Sequence, residues 1–136
     1  MSYSFSNQEI ADLLASVAAS YTIKGMNRFQ IIAYENAASG IEHATSDLKD
    51  LWQEGKLGEV PGVGSHIEEY LDELFTAGKV RHFEQVMQGI PEAVFPLLKI
   101  PGIGPKTALK LAELKVTGTD DLKDKIESGK GSVKEE

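Results

Sequence analysis

Val60-Pro61-Gly62-Val63-Gly64 returns forty residues later as Ile100-Pro101-Gly102-Ile103-Gly104. The echo runs past these five positions. Leu57 pairs with Leu97, Leu71 with Leu111, Glu73-Leu74 with Glu113-Leu114 and Gly78 with Gly118, all at the same offset. A repeat at fixed spacing marks one supersecondary unit used twice. Here the unit reads as the end of an apolar helix, a tight Gly-x-Gly turn and a second, amphipathic helix. The turn sets two glycines just ahead of a helix N-terminus, where open N–H groups and the helix dipole favour an anion. With no Cβ, glycine also lets the backbone come close to such a ligand. Two turns of this kind point to the phosphate backbone of a nucleic acid.

Working outward, the pattern is helical almost throughout. Ser6-x-x-Glu9 is a capping box ahead of Ile10, Leu13, Leu14, Val17, Ala18 and Tyr21 at helical spacing, and Gly25 closes that helix. Asn27-x-x-Gln30 opens a second helix, with Phe29, Ile32, Ala33, Ala37 and Ile41 expected on one face. A short third helix is expected from about Asp47 to Glu54, stopped by Gly55. Ser65-x-x-Glu68 reads as a second capping box, starting a helix through Ile67, Tyr70, Leu71 and Leu74 to Gly78. A further helix is expected over 80–88, with Phe83 and Val86 inward. Pro91 and Pro105 suit the first turns of the next two helices, where a missing N–H costs nothing. Thr119-Asp120-Asp121 would begin a last helix to about Ile126, and the tail from Ser128 reads as polar and disordered. No stretch alternates as a strand, so the expected class is all-α. The expected division is a first subdomain over 1–90, a second over 91–127 and the tail over 128–136.

Hydrophobic content of 41% and charged content of 26% are those of a soluble globular domain. With no cysteine, disulfides and thiolate metal sites are excluded. No apolar run nears the roughly 20 residues that span a bilayer, and the N-terminus lacks a secretion signal, so the expected location is cytoplasmic, with the nucleoid if DNA is bound. The net charge of −7 opposes a polyanion partner. Its distribution is uneven. Residues 1–95 carry 14 acidic and 6 basic side chains, whereas 96–116 carry Lys99, Lys106, Lys110 and Lys115 against Glu113 alone. Only the second repeat is electrostatically suited to phosphate.

Both repeats resemble the helix-hairpin-helix motif. The order of Ala33-Tyr34-x-x-Ala37-Ala38, Leu57-Gly58-Glu59-Val60-Pro61-Gly62-Val63-Gly64, Thr76-Ala77-Gly78-Lys79 and Ile100-Pro101-Gly102-Ile103-Gly104-Pro105-Lys106 extends the likeness. It resembles the N-terminal part of family X DNA polymerases, the polymerase beta-like enzymes of bacterial and archaeal type, over about residues 7–127. The resemblance implies a lyase-like helical domain followed by a duplex-gripping subdomain, each hairpin touching DNA backbone without reading sequence. On the hairpins it implies DNA contacts at Gly62, Val63, Gly64, Gly102, Ile103 and Gly104, with Lys106, Thr107 and Lys110 beyond the second turn. It also implies a monovalent cation, Na+ or K+, on the carbonyls of Gly58, Val60 and Val63 and of Leu98, Ile100 and Ile103. No other cofactor is required.

Departures from that pattern bear on chemistry. Where polymerase beta-like members carry a Schiff-base lysine, this chain has Tyr70, and Gln30, His66 and His82 replace nearby phosphate-binding lysines. Schiff-base chemistry needs an amine of lowered pKa, so abasic-site (deoxyribose-phosphate) lyase action loses its nucleophile. The palm and its metal-binding aspartates would follow the end of this chain. The expectation is therefore no catalytic residue here. A longer parent, if there is one, would be a gap-filling polymerase. His43, His66 and His82 lack metal-ligand spacing and read as ordinary polar histidines, although protonated His66 would donate to a phosphate. Trp52 and Tyr34 read as core residues. Glu59, Glu68, Glu69, Asp72 and Glu73 surround the first turn and repel DNA, which leaves two readings open for it: a second clamp, or a structural buttress. In the rival function the acidic first half docks a basic protein partner and the hairpins are scaffold. The oligomeric expectation is a monomer.

Overall fold

The computed structural model describes residues 2–114, and the expected last helix and polar tail lie outside them. Among the described residues there are seven α-helices, one 3-10 turn and no strand. The chain divides into two units, Met1–Gln88 and Gly89–Glu136.

In the first unit, α1 (Asn7–Ile23) and α2 (Arg28–Glu42) pack along one another, and α1 also touches α5 (Arg81–Met87). α3 (Leu48–Gln53), the 3-10 turn Leu57–Glu59 and α4 (Ser65–Ala77) lie between them in the chain. The capping box of α1 forms as read: the Ser6 hydroxyl accepts the Glu9 N–H, and the Glu9 carboxylate accepts the Ser6 N–H. Asn27 caps α2 by accepting from Phe29 and Gln30. Gly78 ends α4 in the left-handed region at φ 83°. One contiguous core joins these helices, with Ile10, Leu14, Ile41, Leu71 and Phe75 fully buried. Truncating a side chain such as Leu71 to alanine would cost about 3 kcal/mol. Trp52 stacks on Phe75 with ring centroids 5.2 Å apart, and its Nε1–H donates to Asp72 at 2.7 Å.

Behind α2 lies a polar seam. Tyr34 is 1% exposed, stacks on Tyr21 at 5.7 Å and meets Phe83 edge-on. Tyr21 Oη in turn lies 2.9 Å from His82 Nε2. Burial pushes the Tyr34 hydroxyl well above the ordinary tyrosine range, with Tyr21 and Tyr70 adding to the shift. Tyr21 is raised for the same first reason.

The second unit has α6 (Val94–Leu97) and α7 (Pro105–Glu113), packed on one another, with Val94, Leu97, Ala108 and Leu111 buried. Pro105 takes the first turn of α7 as expected.

Three local expectations are corrected. Phe29 and Ile32, expected on one face with Ala37 and Ile41, are instead 84% and 43% exposed, because the buried stripe of α2 is Tyr34, Ala37, Ala38 and Ile41. Ser65 does not cap α4: Gly64 is the N-cap and Ser65 is already helical, so the Ser-x-x-Glu pattern sits one residue too late. Pro91 precedes α6 by three residues, and its carbonyl accepts the Val94 N–H in a turn.

Candidate nucleic-acid interface

Each repeat forms a type II β-turn, the class that takes proline second and a positive-φ residue third. In the first, Pro61 is second, Gly62 third at φ 90°, and the Val63 N–H donates to the Val60 carbonyl at 3.0 Å. In the second, Pro101 and Gly102 at φ 87° take those places, and Ile103 donates to Ile100 at 3.1 Å. A left-handed φ is what glycine supplies here. Val60 and Val63 are buried and Ile100 and Ile103 half-buried, so the turns are anchored by their apolar side chains while Gly62, Gly64, Gly102 and Gly104 stay exposed.

The second glycine of each turn does something else. Gly64 (φ −86°, ψ 178°) and Gly104 (φ −89°, ψ 177°) are N-caps in extended backbone open to any residue. What they withhold is a side-chain acceptor. A Ser, Asp or Asn there would accept the N–H groups of the first helical turn. At four other helices a side chain takes that duty: Ser6 at α1 and Asn27 at α2, the Asn7 Oδ1 accepting the Leu48 N–H at α3, and the Glu73 carboxylate accepting the Arg81 N–H at α5; the four-residue α6 has none. Neither α4 nor α7 has a side-chain cap. These two helices leave first-turn donors pointing outward, where the helix dipole draws an anion.

The surroundings differ. Beyond Gly104, Lys106, Thr107 and Lys110 are exposed, with Lys106 and Lys110 one turn apart on a shared face and no acid in the first turn of α7. After the first turn, α4 carries carboxylates, three of them with neighbours inside the unit. Asp72 accepts from Trp52, Glu73 accepts from Arg81, and Glu68 lies against Gly58. At hairpin one the Val60 carbonyl carries the turn's hydrogen bond, whereas among the described residues no backbone N–H bonds the Gly58 or Val63 carbonyls. Leu98, Ile100 and Ile103 repeat the arrangement. Neutral carbonyl oxygens with lone pairs to spare fit a weakly held monovalent cation. Among the described residues no group of three or more His, Asp or Glu is placed to hold a metal ion.

Tyr70 stacks flat on His82, with centroids 5.0 Å apart and planes within 8°. At the position where the family resemblance would put a Schiff-base lysine, the chain thus holds a phenol on an imidazole.

One exposed edge escaped the helical-face argument. Phe29, Gln30, Ala33 and Tyr34 share a groove of about 440 Å³ with Gly62, Gly64, Ser65, His66 and Ile67. The exposed Phe29 ring therefore stands on the same groove as the uncapped start of α4. A signal was present: between Asp12 and Glu35 there is no acid, only Lys24 and Arg28.

Residues 5–80 match the family model described as a helix-hairpin-helix domain, more than half of the chain. The chain belongs to the helix-hairpin-helix domain family, and it is related to the N-terminal helix-hairpin-helix region of family X DNA polymerases. Among curated proteins it is 35% identical to the DNA polymerase/3'-5' exonuclease PolX of Bacillus subtilis over 127 residues, covering 90% of this chain and 21% of that protein. It is 28% identical to DNA polymerase lambda of Arabidopsis thaliana over 120 residues, covering 86% and 22%. The chain spans about a fifth of the length of these relatives. Family and relatives together support DNA binding in a polymerase-related context. No helix among the described residues is long and apolar enough to cross a membrane.

Proposed function

We propose that this chain grips the DNA backbone without reading sequence, chiefly through the second hairpin, in a repair setting. The observation that carries the reading is the pair of glycine-started helices, α4 and α7, each without a side-chain cap. At the second, Gly102 and Gly104 bring amides to a phosphate and Ile103 anchors the turn between them, while Lys106 and Lys110 add charge and Thr107 a hydroxyl. At the first, Gly62, Val63 and Gly64 make a weaker contact. Its groove suits an unpaired stretch, with the Phe29 ring as a stacking face worth about 1–3 kcal/mol per base. A K+ or Na+ ion on the hairpin carbonyls would bridge to the phosphate. The chain itself performs no catalysis in this reading, and a longer parent carrying the palm would be a gap-filling polymerase.

The test is fluorescence anisotropy with gapped and intact duplex DNA at low and moderate salt. The expected result is binding whose log K falls linearly with log salt, a preference for gaps, and loss of about tenfold in affinity for Lys106→Glu. No binding at low salt would sink the reading. That outcome favours a second one, in which the acidic first half, 14 acids against 6 bases over residues 1–95, docks a basic protein partner. Borohydride trapping on abasic DNA is expected to give no adduct; a trapped adduct would restore the lyase reading.

A further inference from the structure

Gly40 lies on α2, far from either hairpin in sequence. A Cβ placed on it would overlap the carbonyl oxygen of Pro61 and stand 2.9 Å from that carbonyl carbon. From the other side, a Cβ on Gly62 would stand 2.5 Å from the Asn36 carbonyl oxygen and 2.8 Å from its carbon. The Pro61–Gly62 peptide thus rests directly on the backbone of α2 between Asn36 and Gly40, with a side chain missing from each surface. A glycine inside a helix weakens it relative to alanine, so α2 accepts a local loss where the hairpin lands. The second hairpin has no such seat among the described residues: a Cβ on Gly102 or Gly104 meets nothing within 4 Å.

We propose that Gly40 is a positioning residue for the nucleic-acid contact of the first hairpin. It seats the type II turn on α2, and so fixes the open start of α4 across the groove from Phe29. α2 runs unbroken from Arg28 to Glu42, so the ring near one end and the seat near the other are held by one helix. A turn lifted off α2 by a methyl group changes the width of that groove and the aim of the Gly64, Ser65 and His66 amides. The proposal rests on the reading that the first hairpin takes a phosphate.

The experiment compares wild type, Gly40→Ala and Ser39→Ala, the last an exposed neighbour on the same helix. The readouts are amide hydrogen exchange over residues 60–67 and anisotropy with gapped DNA across a salt series. Gly40→Ala is expected to lose protection at 63–67 and about fivefold in affinity, with a salt slope shallower by about one phosphate contact. Ser39→Ala is expected to match wild type in all three. A merely destabilised fold would not change the salt slope of the folded protein. Unchanged exchange, affinity and slope in Gly40→Ala would overturn the proposal. If Gly40→Ala fails to fold, wild-type exchange decides. A Val63 amide that opens only with the whole unit supports the seat, and one that exchanges well before the interior of α4 overturns it. Wild type that binds no DNA removes the functional reading beneath the proposal, and the Val63 result then tells that failure from failure of the seat.

Discussion

The two hairpins are one backbone drawn twice. Gly62 and Gly102 differ by 3° in φ, and Gly64 and Gly104 by 3° in φ and 1° in ψ. Their settings are opposite. The first is pressed against α2, with Glu68 beside Gly58; the second is open among the described residues and carries Lys106 and Lys110. The turn therefore fixes where amides point, and in the proposed reading neighbouring side chains decide how strongly an anion is drawn. Copying the turn does not copy its electrostatic setting.

The sharpest way to break this comparison is to put the same side chain into both turns. Gly62→Ala should destabilise the first unit by about 3 kcal/mol, because left-handed strain and a backbone overlap add. Gly102→Ala should cost about 1 kcal/mol, from the strain alone. Urea denaturation of each variant checks the difference, and equal losses would mean that the α2 seat carries no energy. Next in size is an exchange of charge. His66→Lys gives the first hairpin the cation it lacks, and should raise DNA affinity about threefold while steepening the salt slope by nearly one. An unchanged slope in the anisotropy titration would mark the first turn as a buttress.

The two units also part company in alkali. Tyr34 and Tyr21 hold their protons in the folded first unit above the value they have unfolded. Their contribution is complete below pH about 10 and is lost as pH rises toward the folded values, since the unfolded chain then binds fewer protons. Thermal melts by circular dichroism should therefore fall above pH about 10, with a smaller fall in Tyr34→Phe than in wild type. The smallest effect on stability belongs to Phe29→Ala, expected within about 0.5 kcal/mol of wild type because the ring is exposed. Its affinity for gapped DNA should nevertheless drop while that for intact duplex holds; equal losses on both would remove the stacking role.

Much of this was legible in the residues. The glycine stops at 25, 55 and 78, the capping box at Ser6 and the doubled Pro-Gly-x-Gly are local signals, and local signals survive folding. Phe29 departs from its expected place because a helical apolar stripe shows which residues share a face, not which part of that face finds a partner. Ser65 was misplaced because a Ser-x-x-Glu pattern cannot say whether the preceding glycine has already taken the N-cap. The Gly40 seat left no trace, since it joins residues from two elements and only their packing makes either glycine necessary. The open amides of α4 and α7 follow from glycine turns that are plain in the sequence; their contrast with the side-chain-capped starts of α1, α2, α3 and α5 does not, because at α3 and α5 the acceptor comes from a residue on another helix.

The stacking of Trp52 on Phe75 has an optical consequence. It is the sole tryptophan of the chain, and the four tyrosines, at 3, 21, 34 and 70, share its unit. Beyond Gln88 there is neither indole nor phenol. Emission excited near the ultraviolet edge of tryptophan thus watches the first unit alone, and the second hairpin melts in the dark. A fluorescence curve and a far-ultraviolet dichroism curve recorded on one sample would superimpose if the halves unfold together, and separate by the free energy of whichever half lets go first.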